Sequence, residues 1–413
     1  MSNPLSARWN SSLGFGLAAL GSAVGLGNIW RFPYVMGEYG GGAFLLAYLL
    51  SVLLLGWPLL IAEISIGRHT HTDSIAACRH IAPGRPWRWA GWLGFAACIM
   101  ILAYYPVIAG WVLHYLWLAL QGDLGVMATD TQAARFTGIT QNTGMAIGAS
   151  LLTLGAATAI VAGGVAAGIE RSSRILMPLF ACLLLGLAVY SLNLPGRAQA
   201  MTFMFRPEWS ALLRADTWLV AFGQALFSIG LAMGILVTYG SYLAKSADLP
   251  RIAGAVIAGD TLIALLASLV IFPAVFSMGL APAQGPGLVF VVLPDVFANM
   301  PGGRTAGAMF FLLLLIAALT SIVSLLEVPV SLLMSRRGMA RLPATLLTSA
   351  TAFLLGVPVA LGEGLSALQF EGWPTLLGMA DQATSHVLLP LSAMAIALLV
   401  GWHWRAEEAQ VAA

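Results

Sequence analysis

The sequence predicts an all-α membrane protein of ten transmembrane helices, arranged as a 5+5 inverted repeat in which helices 1 and 6 are broken at mid-membrane. Hydrophobic residues make up 59% of the 413 residues and charged residues only 9%, whereas soluble globular chains carry about 25% charged residues. Ten apolar stretches are long enough to cross a bilayer. Two of them carry glycines and polar residues at mid-span, where lipid offers the backbone no hydrogen bonds.

The ten stretches follow one another with short links. They lie at about 12–35, 42–66, 88–120, 143–165, 174–193, 214–243, 252–280, 305–334, 343–361 and 376–402. Residues 1–200 are expected to form the first repeat and residues 201–413 the second, within one integral membrane domain. Because each half has an odd number of helices, the second half enters the bilayer upside down relative to the first.

The first helix is interrupted by the run GSAVGLGNIWRFPY at residues 21–34. Three glycines, Asn28, Arg31 and Pro33 within fourteen residues disfavour a continuous membrane helix. A broken backbone at this depth survives only where protein or an aqueous cavity satisfies its free groups. Free carbonyls can bind a cation and free amides an anion, so the break predicts a binding site.

The sixth helix repeats this feature. The run GQALFSIGLAMGILVTYGSY at residues 223–242 places Gly230 and Gly234 around a short apolar stretch at mid-span. The two interruptions lie about 205 residues apart, and five helices fill each half. This pattern is typical of secondary transporters built from an inverted repeat.

The distribution of arginine and lysine predicts the orientation. With both termini in the cytoplasm, thirteen of the nineteen Lys and Arg residues lie in cytoplasmic segments, five lie outside and Arg31 lies in the membrane. The positive-inside rule therefore predicts a multi-pass protein of the inner (plasma) membrane with both termini cytoplasmic, in contact with membrane lipid. The first eleven residues are short and polar, and no signal peptide is expected.

Other functional classes find little support. Cys78, Cys98 and Cys182 have neither metal-ligand spacing nor the even number that a disulfide framework needs. No nucleophile–base constellation, phosphate loop or metal motif is present, so we do not expect an enzyme. A net charge of +2 gives no indication of a nucleic-acid partner.

The run at 21–34, followed by EYGGGAFLLAY at 38–48, resembles the first helix pair of the neurotransmitter:sodium symporter family, which includes the bacterial leucine transporter-like amino acid symporters. The similarity covers nearly the whole chain, through ALTS at 318–321 in the eighth helix to the tenth helix. It implies a sodium-coupled symporter that imports its substrate by alternating access. A non-transporting amino-acid sensor that retained the fold is the alternative, because a fold does not establish a function.

The resemblance implies two sodium ions held by oxygen ligands, which suit a hard cation. One site would use the carbonyls of Gly21, Val24 and Ala317 with the hydroxyls of Thr320 and Ser321. The other would use the Ala23 carbonyl, the Asn28 amide oxygen, the Ser228 oxygen and Asp260, completed by the substrate carboxylate. From the residues alone, Thr320 and Ser321 could equally bond the preceding turn, and Asn28 could join two helices.

The resemblance also places an α-amino acid between the two broken helices. Its carboxylate would meet the amides of Leu26 and Gly27 and the hydroxyl of Tyr105. For Tyr105, the alternative is a position in the aromatic belt at the membrane interface. Its ammonium group would meet the carbonyls of Ala23, Phe227 and Ser228. The side-chain pocket would be formed by Ile101, Tyr105, Phe227, Gly230, Met233, Ile322 and Leu325, next to Ser321.

The substrate class follows from Gly25. Monoamine carriers of the family hold an aspartate at this position, so a glycine means that the substrate brings its own carboxylate. No charged residue is expected in the pocket, where a charged side chain would be desolvated without a partner. We therefore expect a neutral hydrophobic or aromatic amino acid.

Arg31 and Asp381 match the extracellular gate pair of the family, with Phe227 beneath them; a purely structural ion pair is the alternative. The cytoplasmic gate departs from the family pattern, because Ser6 and Ser335 stand where an arginine and an aspartate are expected. Pro106 also departs from it and could kink the third helix.

Chloride is not expected to be required. Chloride-dependent relatives use an asparagine and a serine one turn apart in the seventh helix, and here Asp260 and Ala264 occupy those positions. A carboxylate beside the sodium site supplies the negative charge that chloride would otherwise bring. Alternatively, Asp260 faces the cytoplasmic loop near Arg251.

Overall fold

The structure is a computed structural model that describes residues 8–83, 86–125, 131–282, 287–363 and 375–404. Its ten membrane spans are labelled α1 to α10 in chain order, and α1 and α6 each consist of two pieces, a and b. The spans are Ser12–Ala23 (α1a), Gly27–Glu38 (α1b), Gly42–Thr70 (α2), Arg88–Gln121 (α3), Thr143–Ala162 (α4), Val165–Ser191 (α5), Ala215–Ile229 (α6a), Ile235–Ser241 (α6b), Leu249–Ser277 (α7), Gly303–Arg337 (α8), Arg341–Gly362 (α9) and Leu376–His403 (α10).

Eight of these spans are single helices long and apolar enough to cross a membrane, and α1 is a ninth that bends by 48° at its break. The sixth span is the pair α6a and α6b, separated by the residues between Ile229 and Ile235. The prediction of ten helices with breaks in the first and sixth is confirmed. Shorter helices in the links lie at Ser74–Ile81, Gln132–Gln141, Arg197–Phe205, Trp209–Leu213 and Leu288–Asn299.

The break in α1 begins where α1a ends at Ala23 and Val24 takes an extended backbone conformation. Helix α1b then starts with a π-helical turn. The Asn28 side chain spans the gap, because its Oδ1 accepts a hydrogen bond from the Gly25 N–H at 3.2 Å. The polar residue that disfavours a regular helix therefore replaces one of the hydrogen bonds that the break removes.

The break in α6 is built from left-handed residues. Gly230 and Gly234 have φ angles of 74° and 75°, and between them Ala232 has a φ of 65°. The Ala232 N–H donates to Glu63 Oε1 of α2 at 2.6 Å, and its carbonyl accepts from the Ser392 hydroxyl of α10 at 2.8 Å. Two neighbouring helices, α2 and α10, thus satisfy the N–H and the carbonyl of Ala232, for which lipid offers no partner.

The broken helices lie at the centre of the bundle. Helix α1a packs against α5, α7 and α8, and α6b packs closely against α2. The long helix α8 packs against α3, α4, α5 and α9, and most of its residues are buried. This packing brings both breaks next to α3 and α8, and they meet in the interior of the protein.

The largest difference from the predicted boundaries lies between α4 and α5. Helix α4 ends at Ala162 and α5 begins at Val165, nine residues before the predicted start at 174. The residues between the two predicted stretches include Glu170, which is buried and whose carboxylate faces the start of α1a. Pro106 lies inside α3, which continues through it. The division at residue 200 and the cytoplasmic location of the termini stay predictions.

Replacing Glu63 by alanine should destabilise the fold, because the Ala232 N–H would lose its acceptor inside the bundle. An unsatisfied buried donor costs about 1–3 kcal/mol. We expect a lower thermal midpoint for Glu63→Ala in detergent, measured against Glu208→Ala, which removes an exposed carboxylate that accepts a hydrogen bond from Ser210. Equal midpoints for the two variants would show that the break in α6 does not depend on Glu63.

Candidate functional site

A small cavity lined mostly by buried residues lies between the two breaks. Its volume is about 30 Å³. Nine of the twelve residues predicted to bind substrate line it, together with four that the prediction did not include. The nine are Ala23, Gly27, Ile101, Tyr105, Phe227, Gly230, Met233, Ser321 and Leu325, and the four are Ser22, Gly25, Ile235 and Ser324.

The other three predicted substrate residues do not line this cavity. Leu26 lines a larger cavity above it, Ser228 is hydrogen-bonded to Asp260, and Ile322 is packed in the hydrophobic core. None of the residues that line the small cavity is charged.

One end of the cavity is polar and narrow. The Leu26 N–H donates to the Tyr105 hydroxyl at 2.9 Å, so the amide at the start of α1b and the tyrosine point at the same place. A Cβ atom on Gly25 would lie 2.6 Å from Ser321 Oγ and 2.7 Å from the Tyr105 hydroxyl oxygen. Any side chain at position 25 would displace these two hydroxyls. Because the Tyr105 hydroxyl contacts the break in α1, Tyr105 lies in the protein interior and not in an interfacial belt.

A buried carboxylate lies beside the break in α1. Asp260 Oδ1 accepts from Asn28 Nδ2 at 2.7 Å, and its Oδ2 accepts from the Tyr48 hydroxyl at 3.0 Å and the Ser228 hydroxyl at 2.9 Å. Asp260 is completely buried, so it does not face the loop near Arg251. The residues predicted for the second sodium site lie where α1, α6a and α7 meet; they are Ala23, Asn28, Ser228 and Asp260.

The last turn of α1a lies against α8. A Cβ atom on Gly21 would be 3.6 Å from Thr320 Cβ, which brings the predicted group of Gly21, Val24, Ala317, Thr320 and Ser321 into one region. The Thr320 hydroxyl donates to the Ala317 carbonyl at 3.0 Å, as the local alternative required. Its lone pairs remain directed away from that bond, so back-bonding and cation binding are compatible.

A vestibule of about 430 Å³ opens above the small cavity. Tyr105 and Phe227 line both spaces and separate them. Arg31 and Asp381 both line the vestibule, but they do not pair directly: Arg31 donates to Gln224 at 3.0 Å and lies over the Phe227 ring, and Asp381 accepts from Tyr104 at 3.1 Å. The expected ion pair is therefore not formed in this structure, because each residue is bonded to a different neighbour.

Comparison with known proteins now identifies the chain. A model of the sodium:neurotransmitter symporter family matches residues 6–135 and 132–408. The chain belongs to this family. As a member of a family of secondary transporters it is not an enzyme, as predicted.

Relatives in this symporter family are sodium-dependent transporters. The chain is 39% identical to the uncharacterised sodium-dependent transporter YhdH of Bacillus subtilis (strain 168), over 97% of this chain and 88% of that protein. It is 35% identical to an uncharacterised sodium-dependent transporter of Haemophilus influenzae, over 95% of this chain and 88% of that protein.

A solved structure of the family superposes closely on this one. The crystal structure of MhsT in complex with L-phenylalanine matches with a TM-score of 0.91 and 46% sequence identity. The match covers 98% of this chain and 92% of MhsT. The fold and the sodium-dependent symporter family are thus established together.

The end of the bundle opposite the vestibule carries the start of α1a. The residues at this end include Trp9, Glu170, Asp73, Ser335 and Arg341. The Trp9 indole N–H donates to the Tyr239 carbonyl at 3.0 Å, and Glu170 Oε2 accepts from the Asn10 N–H at 2.8 Å. Glu170 Oε1 also pairs with Arg174 at 2.5 Å. A buried carboxylate therefore sits at the positive end of the α1a dipole.

Two serines stand where the symporter family's cytoplasmic gate pair is expected, and the structure describes one of them. Ser6 lies outside the described residues. The Ser335 hydroxyl donates to Asp73 Oδ2 at 2.7 Å, and Arg336 lies 3.6 Å from the same carboxylate. Asp73, in the link after α2, thus brings an acidic group to the end of α8, next to the position where the family places its aspartate.

Sequence reasoning missed several of these residues. Tyr104 is the partner of Asp381, and its signal was its place beside Tyr105 in the run YYP. Ser22 stood in the GSAVGLG run without a role assigned to it. Glu170 was hidden in a charged run that resembles a link, and its partner Asn10 is 160 residues away in sequence.

Replacing Glu170 by alanine should loosen the start of α1a, because the Asn10 N–H and the helix dipole lose their anionic partner. A hydrogen bond to a charged group contributes about 1.5–3 kcal/mol. We expect backbone amides of α1a to exchange with deuterium about ten-fold faster or more, measured by mass spectrometry. The control is Arg171→Ala, an exposed neighbour on the same helix. Equal exchange in both variants would contradict a tethering role for Glu170.

Proposed function

We propose that this chain imports neutral hydrophobic or aromatic α-amino acids together with sodium, by alternating access across the plasma membrane. The observation that carries the proposal is the buried cavity between the two helix breaks, which has a polar end and an apolar, uncharged body. An α-amino acid with an uncharged side chain has the same two parts. The likeness to MhsT with bound L-phenylalanine supports the same class.

The carboxylate of the substrate would bind at the polar end. The N–H groups of Leu26 and Gly27 lie at the first turn of α1b, whose dipole favours an anion. Tyr105 would donate its hydroxyl hydrogen to the carboxylate once the substrate replaces the Leu26 contact. A side chain at position 25 would displace the hydroxyls of Ser321 and Tyr105, so Gly25 keeps both hydroxyls at the polar end where this carboxylate would bind.

Two sodium ions would bind on either side of the α1 break. Gly21, Val24, Ala317, Thr320 and Ser321 offer carbonyl and hydroxyl oxygens between α1a and α8. Ala23, Asn28, Ser228 and Asp260 offer the other set, and the buried carboxylate supplies a negative charge that matches the ion. Oxygen ligands of this kind suit a hard cation.

Coupling to two ions would supply a large driving force. A membrane potential of 100 mV contributes about 2.3 kcal/mol per charge, and a tenfold gradient adds about 1.4 kcal/mol per ion. Two ions could therefore support about five decades of substrate accumulation, and one ion fewer than three. Arg31 and Asp381 would close the vestibule by pairing above Phe227 once substrate is bound.

Uptake of labelled phenylalanine or leucine into proteoliposomes should require an inward sodium gradient. The substrate carboxylate would complete one sodium site, so potassium or choline in place of sodium should abolish high-affinity binding as well as uptake. A control in the same vesicles is Asp381→Ala, which should bind substrate in sodium but transport it poorly. High-affinity binding that does not drive uptake in any gradient would favour the sensor alternative, and equal binding in choline would refute sodium coupling.

Transport should be unchanged when gluconate replaces chloride, because the Asp260 carboxylate lies beside the proposed sodium ion. At about 4 Å and an effective dielectric of 20, two unit charges attract by about 4 kcal/mol. Asp260→Asn combined with Ala264→Ser should make uptake depend on chloride, and Ala264→Ser alone should not. Strong chloride stimulation of the unmodified protein would remove Asp260 from this role.

A further inference from the structure

The hydroxyl of Ser22 is a polar group in the small cavity that makes no hydrogen bond to any residue that the structure describes. Ser22 is 8% exposed and lies in the last turn of α1a, where it lines the cavity. Among the described residues its Oγ has no hydrogen-bond partner. A buried hydroxyl without a hydrogen bond is unfavourable, so its orientation toward the cavity needs an explanation.

Other serines in the spans behave differently. Ser51 donates to the Ala47 carbonyl at 2.8 Å, and Ser268 donates to the Ala264 carbonyl at 2.9 Å. This bond to the preceding turn is the usual way for a helix to satisfy a serine away from water. Ser22 does not make it, although it lies within α1a and its backbone is helical.

The other hydroxyls around the cavity already have partners within the protein. Ser324 donates to the carbonyls of Thr320 and Ser321, and the Tyr105 hydroxyl accepts from Leu26 and contacts Ser321. Ser22 therefore differs from Ser324, which lines the same cavity, in having an unused hydrogen-bonding group. That difference supplies a matched control.

The position of Ser22 indicates which part of a ligand it would meet. The polar end of the cavity is at Gly25 and Tyr105, whereas the Ser22 hydroxyl lies near Gly230, in the break of α6. A Cβ atom on Gly230 would be 3.9 Å from Ser22 Oγ, so no side chain at 230 covers the hydroxyl. The apolar residues of the cavity, Ile101, Met233 and Leu325, line this same space.

We infer that Ser22 is a specificity-determining residue that recognises a hydrogen-bonding group on an aromatic substrate side chain, such as a phenol hydroxyl or an indole N–H. This inference rests on the proposed function and deepens it. An apolar cavity alone discriminates weakly against a side chain that adds one polar group, whereas a hydroxyl placed to bond that group favours it. The protein would then prefer tyrosine or tryptophan to analogues of the same shape that lack the polar group.

The test compares binding of two matched ligand pairs, tyrosine with phenylalanine and tryptophan with its benzothienyl analogue, to the purified full-length protein in sodium. In the unmodified protein at least one pair should favour the polar ligand by about fivefold, the effect of one neutral hydrogen bond. In Ser22→Ala this ratio should fall close to one, while phenylalanine affinity is retained. Ser324→Ala should keep the ratio of the unmodified protein.

Each other outcome has a distinct meaning. Ratios that are the same in the unmodified protein and Ser22→Ala would overturn the inference, and so would an equal loss of affinity for all four ligands, which would place Ser22 at the ammonium group. Binding of none of the four ligands to the folded, unmodified protein would instead refute the proposed substrate class. Retained phenylalanine binding by Ser22→Ala shows that the variant is folded.

Discussion

The rest of the structure depends on the need to satisfy backbone hydrogen bonds inside a bilayer. Two of the ten spans are broken, and the polar groups at each break must find protein partners because lipid provides none. Glu63 and Ser392 bind the backbone of Ala232 at the break in α6. Asn28 binds the Gly25 amide at the break in α1 and is itself held by Asp260 and Ser228. These side chains fix the positions of four half-helices.

The same requirement explains why polar side chains gather at the two breaks inside an otherwise apolar bundle. Residues that hold the breaks come from α2, α7 and α10, which pack around α1 and α6. Asn28 and Asp260 thus stabilise the fold before any ligand is considered, because both are hydrogen-bonded at the break in α1. A substitution at either position would affect stability and binding together, so binding data for such variants need a measurement of folding beside them.

Much of this arrangement could be predicted from the sequence, for identifiable reasons. Composition and apolar runs predict the spans, and glycines at mid-span predict the breaks, because both signals are local. Most of the cavity lining also followed from the resemblance of the first helix and the ALTS run to the family. The start of α5 was wrong because Glu170 looks like a link residue unless its distant partner Asn10 is known. Arg31 and Asp381 bond other residues and not each other, and the Ser22 hydroxyl has no partner among the described residues. Both findings depend on distances between helices, which no local sequence pattern contains.

The small size of the cavity between the breaks bears on how a substrate side chain could enter it. The cavity holds about 30 Å³, whereas a cavity of about 150 Å³ is large enough for a benzene ring. A void inside a protein costs about 24 cal/mol per Å³, so the larger one would cost about 3.6 kcal/mol and the present one about 0.7 kcal/mol. The proposed aromatic substrate could therefore enter only if the residues around the cavity move apart, and the work of that expansion would become part of the affinity that the protein shows for each side chain.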